Sequence, residues 1–215
     1  MRLEKPSKID REQWLRSMGV KGKADESLEA SLAQAEQQLL KAAAPQAIYR
    51  ILDLDAVELA GGAIKKHLEG CHEMAIMGAT LGTAIDHLIR TSQIRDMAAA
   101  VILDCGASVL IEQICDAFEL QMKEAAGGGF LTGRFSPGYG DLPIETQGRL
   151  IKILDGPRKI GLTVTQSYIM IPRKSVTAIL GIADHPVSGY LATCSECTLK
   201  DTCVLRKEGK NCAGI

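Results

Sequence analysis

The segment from Asp96 to Glu124 constrains the fold of this chain more than any other part of its sequence. Almost every residue in its first six turns is small or apolar, which predicts a long helix packed on most of its sides. Its longest purely apolar run, Met97 to Leu103, is far shorter than the ~18 residues that a membrane span requires. We therefore expect other elements of a water-soluble fold to cover this helix.

The polar residues of this helix form a single stripe. Asp104, Ser108, Glu112 and Asp116 recur every four residues, so they lie on one face. Like charges one turn apart mildly destabilise a helix, and carboxylates are costly to bury. Two interpretations follow: the stripe faces water, or it lines a cleft where a cation or several hydrogen-bond donors meet the carboxylates.

The rest of the chain alternates between helical and strand patterns. Asp10 is a helix cap, Pro45 ends the second helix, and Pro172 to Lys174 are expected to join the last two strands as a hairpin. Helices are predicted over 10–18, 25–44, 59–68, 80–91 and 143–156, and strands over 46–54, 73–77, 163–171 and 175–182. This order predicts an α+β fold with a helical N-terminal part.

Composition excludes several functional classes. Hydrophobic residues make up 46% of the 215 residues and charged residues 24%, values typical of a globular protein and not of a disordered one. The net charge is −1 and aromatic residues make up only 4%, so we expect no nucleic-acid partner. Met1 to Val20 contains no apolar core of a signal peptide, which predicts a cytoplasmic protein without a membrane partner.

The cysteines fall into two groups. Three occur singly among apolar residues and are expected in the core: Cys71, Cys105 and Cys115. Four lie within the last 22 residues: Cys194, Cys197, Cys203 and Cys212. Their thiolates could surround an Fe–S cluster or a zinc ion, and a metal-free, thiol-bearing tail is the alternative. We therefore divide the chain into a helical N-terminal extension (1–45), a main domain (46–192) and a cysteine-rich tail (193–215).

A turn-rich loop from Arg134 to Asp141 follows the long helix, after three glycines that end it. Arg134 offers a guanidinium for a carboxylate or phosphate, Pro137 and Gly138 favour an exposed backbone turn, and Tyr139 adds an aromatic ring. These are the components of a ligand site. The sequence contains no dinucleotide fingerprint, no P-loop and no nucleophile elbow, so nothing in it indicates a catalytic triad.

The motifs in this region resemble the activation domain of vitamin B12-dependent methionine synthase. The resemblance rests on Arg134-Phe-Ser-Pro-Gly-Tyr139, on Ile160 to Met170, on Ser175 to Ala178 and on His185-Pro186, in that order and at matching distances. The strong part covers about Glu112 to Tyr190, and the region before it is similar to stand-alone relatives of the domain. The family implies a twisted antiparallel sheet flanked by helices.

The resemblance also implies a function in methionine biosynthesis. Members of the family bind S-adenosylmethionine and reactivate oxidised cobalamin by reductive methylation. Because this chain lacks the cobalamin-, folate- and homocysteine-binding modules, its cobalamin would be supplied by a partner, a separate corrinoid protein or a shortened methionine synthase. The electron would come from a flavodoxin or ferredoxin, or from an Fe–S cluster on the tail. Methyl transfer in such a system needs no acid, base or nucleophile from this chain.

Site residues follow from the same resemblance. It implies that Arg134 holds the methionine carboxylate, that Glu112 pairs with the ammonium, and that Ser136, Pro137, Gly138, Tyr139 and Tyr190 contact the ligand. One departure is present: the family has two adjacent aromatic residues after the His-Pro element, whereas this chain has Gly189-Tyr190. That departure motivates an alternative, a non-catalytic binding or scaffold protein of the corrinoid pathway with a metal-binding cysteine tail.

Overall fold

The computed structural model of this chain describes residues 1–187 and Gly189. Its helices and strands follow in chain order: α1 (Arg11–Ser17), α2 (Glu26–Ala42), β1 (Gln46–Asp53), α3 (Gly62–His67), β2 (Glu73–Thr80), α4 (Thr83–Arg95), α5 (Met97–Ala125), β3 (Phe130–Leu131), α6 (Thr146–Leu154), α7 (Gly156–Ile160), β4 (Thr163–Val164), β5 (Met170–Ile171) and β6 (Ser175–Ala183).

The centre of the fold is a four-stranded antiparallel sheet in the order β1-β2-β6-β3. Strands β2 and β6 are buried on both faces, because helices cover the sheet on both sides. Burial on both faces accounts for their continuous apolar sequences. The predicted α+β class, with an antiparallel sheet flanked by helices, is confirmed.

Helices α1, α2, α4 and α5 cover one face of the sheet. The core on this face contains Met77 and Leu180 from the sheet together with Leu110 and Phe118 from α5. Helix α5 is long and apolar enough to cross a membrane by length and composition, but it packs against α1, α2, α4 and the sheet. Other elements of the fold cover this helix, as its sequence predicted.

The N-terminal helices contribute to this same core. Trp14 of α1 and Leu32 and Leu39 of α2 are fully buried. Asp10 and Asp25 cap the two helices by accepting backbone N–H bonds from Gln13 and Leu28. The cap predicted at Asp10 is confirmed, and the division of the chain at residues 45 and 192 stays a prediction.

Helices α3, α6 and α7 cover the opposite face. Phe135, Leu150 and Ile179 lie in the core there. The small hairpin of β4 and β5 packs at its margin, where Val164 and Met170 contact a cluster around Leu162. The loop that begins at Arg134 contributes Phe135 and Leu142 to the core on this face.

The predicted hairpin of 163–171 with 175–182 is wrong. The segment 163–171 folds on itself, because Ile169 N–H donates to Thr165 Oγ1 and Tyr168 takes a positive φ of 62°. Its two ends become β4 and β5, and β6 instead lies between β2 and β3. The β-branched residues predicted β6 correctly, but of the single strand predicted over 163–171 only the two ends are strands. A local pattern does not specify which partner a strand selects.

Candidate functional site

The candidate site lies at the β3 edge of the sheet, where the strand pairing contains a bulge. Leu131 pairs with Ile182 and Phe135 pairs with Ile179, so the chain advances four residues while β6 goes back three. An extra residue of this kind bends an edge strand and changes the direction of its side chains. Arg134 lies in the bulge and extends towards α5, whereas Phe135 enters the core of the opposite face.

Arg134 is held by three carboxylates of α5. Its Nη2 atom lies 2.9 Å from Glu112 Oε2 and 2.9 Å from Asp116 Oδ1, and Nη1 bonds Glu119. The Arg134 side chain is only 19% exposed. We call these four residues the Arg134 cluster. The sequence predicted that Arg134 and Glu112 belong to one site, and the structure brings them into direct contact.

The Arg134 cluster carries more negative than positive charge. Burial raises the pKa of Glu119, and the guanidinium of Arg134 opposes that rise. Cys115 lies beside the cluster, and burial raises the pKa of its thiol to about 12. A raised pKa keeps this thiol protonated at physiological pH. Cys115 lies in the core as predicted, whereas Cys71 and Cys105 are only partly buried.

The polar stripe of α5 meets two cations of the same chain. Lys174 Nζ lies 3.0 Å from Asp104 Oδ1 and 2.8 Å from Ser108 Oγ, and Arg134 binds Glu112 and Asp116. Each of the three carboxylates nevertheless remains about half exposed or more. The stripe thus both meets cations and borders water, so each of the two sequence interpretations is right in part.

Sequence reasoning missed Glu119 and Lys174. Glu119 is one turn beyond Asp116 and shares its face of α5, so its helical spacing was a usable signal. Lys174 lies in the segment before β6, and its position depends on the unpredicted pairing of β6 with β2. No local pattern could have placed it.

The loop after Arg134 is ordered by backbone hydrogen bonds. Tyr139 N–H donates to the Ser136 carbonyl, and Gly138 N–H donates to Leu142. Gly138 has a φ of +90°, which requires a glycine at this turn. Pro137 is buried, Ser136 is half-buried and Tyr139 is exposed.

Tyr139 does not lie against the Arg134 cluster. Its ring packs edge-on against Phe135, with 6.2 Å between centroids, on the α3 side of the sheet. A ligand that touches both Arg134 and Tyr139 must therefore cross the sheet edge. The backbone of residues 134–138 is the shared boundary between these two side chains.

Asp141 fixes the far end of the loop. Its carboxylate accepts backbone N–H bonds from Gly62 at 2.6 Å and Ala63 at 3.0 Å, in the first turn of α3. These bonds lower the pKa of Asp141, because they stabilise its charged form. Asp141 therefore has a structural function: it ties the loop to α3.

The buried hydroxyl of Thr132 stabilises the bulge. Thr132 Oγ1 accepts the N–H of Gly181 at 2.7 Å and lies 2.8 Å from His67 Nε2. The hydroxyl replaces a backbone carbonyl as the partner of Gly181, which compensates for a ladder bond that the bulge disrupts. His67 is buried, and its ring also packs against Phe135. Sequence analysis assigned no function to either residue.

Gly189 occupies a position where a side chain does not fit. Its φ is +63°, and a Cβ atom there would lie 2.8 Å from His67 Cε1 and 3.0 Å from Thr132 Cβ. A side chain at position 189 would therefore press against His67 and Thr132 and strain the backbone.

We expect Gly189→Ala to destabilise the protein by about 1–3 kcal/mol, from the contact with His67 and the positive φ together. Gly127→Ala is the control for φ, since its φ is +73° and a Cβ atom would meet nothing within 4 Å. Urea unfolding of both variants measures the difference. Equal losses would show that the contact with His67 costs nothing.

The remaining predicted site residues, Tyr190 and the cysteines at 194, 197, 203 and 212, lie outside the described residues. Among residues 1–187 and 189, no group of three or more His, Cys, Asp or Glu side chains is arranged to hold a metal ion. The metal site predicted for the tail therefore stays a prediction.

Comparison with known proteins shows the fold. No family model and no curated protein matches the sequence. Among solved structures, the crystal structure of the MetH reactivation domain bound to AdoHcy matches with a TM-score of 0.63. The match covers 94% of this chain and 82% of that chain, at 14% sequence identity. The chain thus has the fold of the MetH reactivation domain, as the sequence resemblance predicted.

Proposed function

We propose that this chain binds S-adenosylmethionine at the Arg134 cluster and assists the reductive methylation of cobalamin on a separate methionine synthase or corrinoid protein. The observation that carries the proposal is the contact between Arg134 and Glu112, in a fold shared with a reactivation domain crystallised with AdoHcy. A guanidinium beside a carboxylate is complementary to the carboxylate and ammonium of a free amino acid.

The contacts support an exchange of partners when the ligand binds. Glu112 is about half exposed, so it can leave Arg134 at a small cost. The ligand carboxylate would take its place on the guanidinium, and the ligand ammonium would pair with the released Glu112. The number of ion pairs increases by one, and Glu119 keeps Arg134 in position throughout.

In the proposed methyl transfer, the contribution of this chain is to position S-adenosylmethionine. The partner's cobalamin, after reduction by an electron from a donor protein or from the tail, would supply the nucleophile for the methyl group, and S-adenosylhomocysteine would leave. The Arg134 cluster would fix the amino-acid end of S-adenosylmethionine, and the hydrogen bonds within the loop from Ser136 to Leu142 would keep the adjoining chain in place. Holding the two reactants in line is a contribution of several kcal/mol that needs no acid or base.

A second candidate function is a scaffold that binds no S-adenosylmethionine. It is favoured by the three carboxylates that already satisfy Arg134, since a ligand must compete with at least one of them. In a scaffold the cluster would only join the bulge to α5. The cysteine tail would then be the functional element of the chain.

Isothermal titration with S-adenosylmethionine under anaerobic conditions tests the two candidates. We expect saturable binding, and we expect Glu112→Gln to weaken it by about 1.5–3 kcal/mol because a charged hydrogen bond is lost. The matched control is Asp104→Asn, which also removes one negative charge from the polar stripe of α5. Asp104 pairs with Lys174 and not with Arg134. This variant should leave the affinity within a factor of about two.

The outcomes of this titration distinguish the reactivation function, the scaffold and a general effect of charge. Binding that depends on Glu112 and not on Asp104 supports the reactivation function. No saturable binding up to millimolar ligand would contradict it in favour of the scaffold. Equal losses in both variants would indicate a general effect of charge and would remove Glu112 from the site.

A further inference from the structure

Three large apolar side chains are exposed where α4 ends and α5 begins. Ile94, in the last turn of α4, is 83% exposed, and Met97, in the first turn of α5, is 61% exposed. Val101 lies one turn further along α5 and is 49% exposed. We call these three residues the apolar corner. Single exposed apolar residues are normal on a protein surface, but a contiguous group of them marks an interaction site.

A cavity of about 250 Å³ lies beside the apolar corner, between α2 and the first two turns of α5. We call this cavity the α2 recess. Its α2 wall includes three polar side chains, those of Ser31, Gln34 and Gln38. Its α5 wall is small and apolar and includes Ala98 and Ile102. Because Ala98 follows Met97 in the sequence, the exposed apolar group and the recess belong to one surface.

We propose that this surface joins two copies of the chain about a two-fold axis, with the apolar corner of each copy in the α2 recess of the other. A two-fold interface uses the same patch on both subunits, so that patch must contain both members of every complementary pair. An exposed apolar group next to a recess meets this condition. The inference does not depend on the proposed function.

The charges on this surface are complementary in the same way. Arg90 and Arg95 are exposed, and neither side chain has an ion-pair partner among residues 1–187 and 189. Asp96 is exposed as well and lines the α2 recess. In a two-fold pair, the arginines of one copy can lie against Asp96 of the other. The net charge of the chain is only −1, so two copies repel each other little.

The end of the chain is a less suitable cover for the apolar corner than a second copy. A Cβ atom at Gly189 would lie 2.8 Å from His67 Cε1. His67 belongs to α3, and α3 covers the opposite face of the sheet from α4 and α5. The residues after 189 would therefore have to pass around the sheet to reach the corner.

A dimer of this kind leaves the candidate site open. Met97 and Glu112 are fifteen residues apart on α5, which corresponds to about 22 Å along the helix axis. A standard interface covers about 800 Å² per partner, which corresponds to a radius of roughly 16 Å. An interface centred on Met97 therefore ends before the Arg134 cluster, and the dimer has two open candidate sites.

Sedimentation velocity of the full-length chain, from about 1 to 500 μM, tests the dimer. A thiol reductant is present to prevent disulfide bonds between copies. We expect the sedimenting mass to rise with concentration from that of one chain to that of two. Ile94→Asp and Met97→Glu should each raise the dissociation constant at least about tenfold, because a charge enters the apolar contact. An acidic residue in the first turn of α5 is compatible with the helix dipole.

Ala98→Phe tests the α2 recess separately. Ala98 is exposed, so a larger side chain there should fill the recess without disturbing the core. We expect it to weaken the dimer although the apolar corner is intact, and an unchanged dimer would overturn the assignment of the recess. Leu120→Glu is the matched control, since Leu120 is an exposed apolar residue (66%) near the other end of α5. It should leave the dimer unchanged.

Methyl NMR of the methionines identifies the surface that associates. The signal of Met97 should shift as the concentration rises, whereas Met74 and Met77, which are fully buried, should not shift. A chain that stays monomeric up to about 500 μM overturns the proposal. A dimer that neither Ile94→Asp nor Met97→Glu weakens also overturns it, because its interface then lies elsewhere. Met97→Glu should bind S-adenosylmethionine as the unaltered chain does, so failure of the dimer and failure of the proposed function are separate results.

Discussion

Gly106→Ala is expected to destabilise the protein by about 2–4 kcal/mol, even though alanine is the better helix former. A Cβ atom at position 106 would lie 2.3 Å from Trp14 Cζ2 and 2.8 Å from Leu39 Cδ1. Both side chains are fully buried, so neither can move without opening the core. The Trp14 ring is also held by a hydrogen bond from Nε1 to the Ile102 carbonyl at 2.9 Å.

Trp14 is the only tryptophan of the chain, so its fluorescence reports this contact directly. In the Gly106 variant we expect a red-shifted emission maximum, because the ring leaves its buried position against α5. Urea unfolding followed at the same wavelength measures the free energy. An emission maximum and an unfolding midpoint equal to those of the unaltered chain would contradict the prediction.

Gly148→Ala is the matched control for this variant. Gly148 also lies within a helix, α6, but the nearest atom to its Cβ position is Val164 Cγ1 at 3.8 Å, an ordinary contact. The same substitution should therefore stabilise the protein by up to about 1 kcal/mol through helix propensity. Opposite signs at the two glycines would show that packing against Trp14 determines the result.

The second large effect is expected for Arg134→Ala, which leaves Glu112, Asp116 and Glu119 without their cation. We expect a loss of about 3 kcal/mol at neutral pH. Most of it should come from Glu119, whose side chain is only 25% exposed, because water screens the two more exposed carboxylates. Urea unfolding in buffers from about pH 7.5 to 5 measures the loss.

The pH dependence identifies the cause of this loss. Burial already raises the pKa of Glu119 in the presence of Arg134, and removal of the guanidinium should raise it further. A carboxyl group with a raised folded-state pKa stabilises the fold at low pH, and this stability is lost as the pH rises through that pKa. The deficit of Arg134→Ala should therefore shrink as the pH falls towards about 5.

Two further variants separate the charge effect from lost packing. Adding Glu119→Gln to Arg134→Ala should restore about 1 kcal/mol or more, because it removes the unpaired, partly buried charge. Arg158→Ala breaks only an exposed ion pair with Asp155 and should change stability by less than about 0.5 kcal/mol. A deficit that is independent of pH and of Glu119 would show that packing, and not charge, holds Arg134 in place.

This result also determines how the ligand site can be tested. Because Arg134 supports the bulge against α5, loss of ligand affinity in Arg134→Ala would not separate binding from folding. Glu112 is the better probe, since it is half exposed and only one of three carboxylates on the guanidinium. The ion pairs that make Arg134 a candidate ligand contact also support the fold, so Arg134 is unsuitable as the first residue to substitute.

Local patterns in the sequence were enough to predict most helices, several strands and two residues of the candidate site. Apolar periodicity identified α5 and its polar stripe, the cap at Asp10 marked the start of α1, and the order of patterns predicted the α+β class. These properties depend on residues that are close in sequence, so they can be predicted without knowledge of the tertiary structure. The arginine-to-tyrosine motif also indicated the loop that borders the candidate site.

The surroundings of that motif depend on contacts between distant segments of the chain. The pairing of β6 with β2 and β3 creates the bulge that directs Arg134 towards α5 and Phe135 to the other face. Glu119 becomes a partner of Arg134, and Gly189 lies against His67, because segments far apart in sequence meet at one edge of the sheet. Such contacts depend on strand order and register, and the free energy that selects them comes from burial of the whole core rather than from any local pattern.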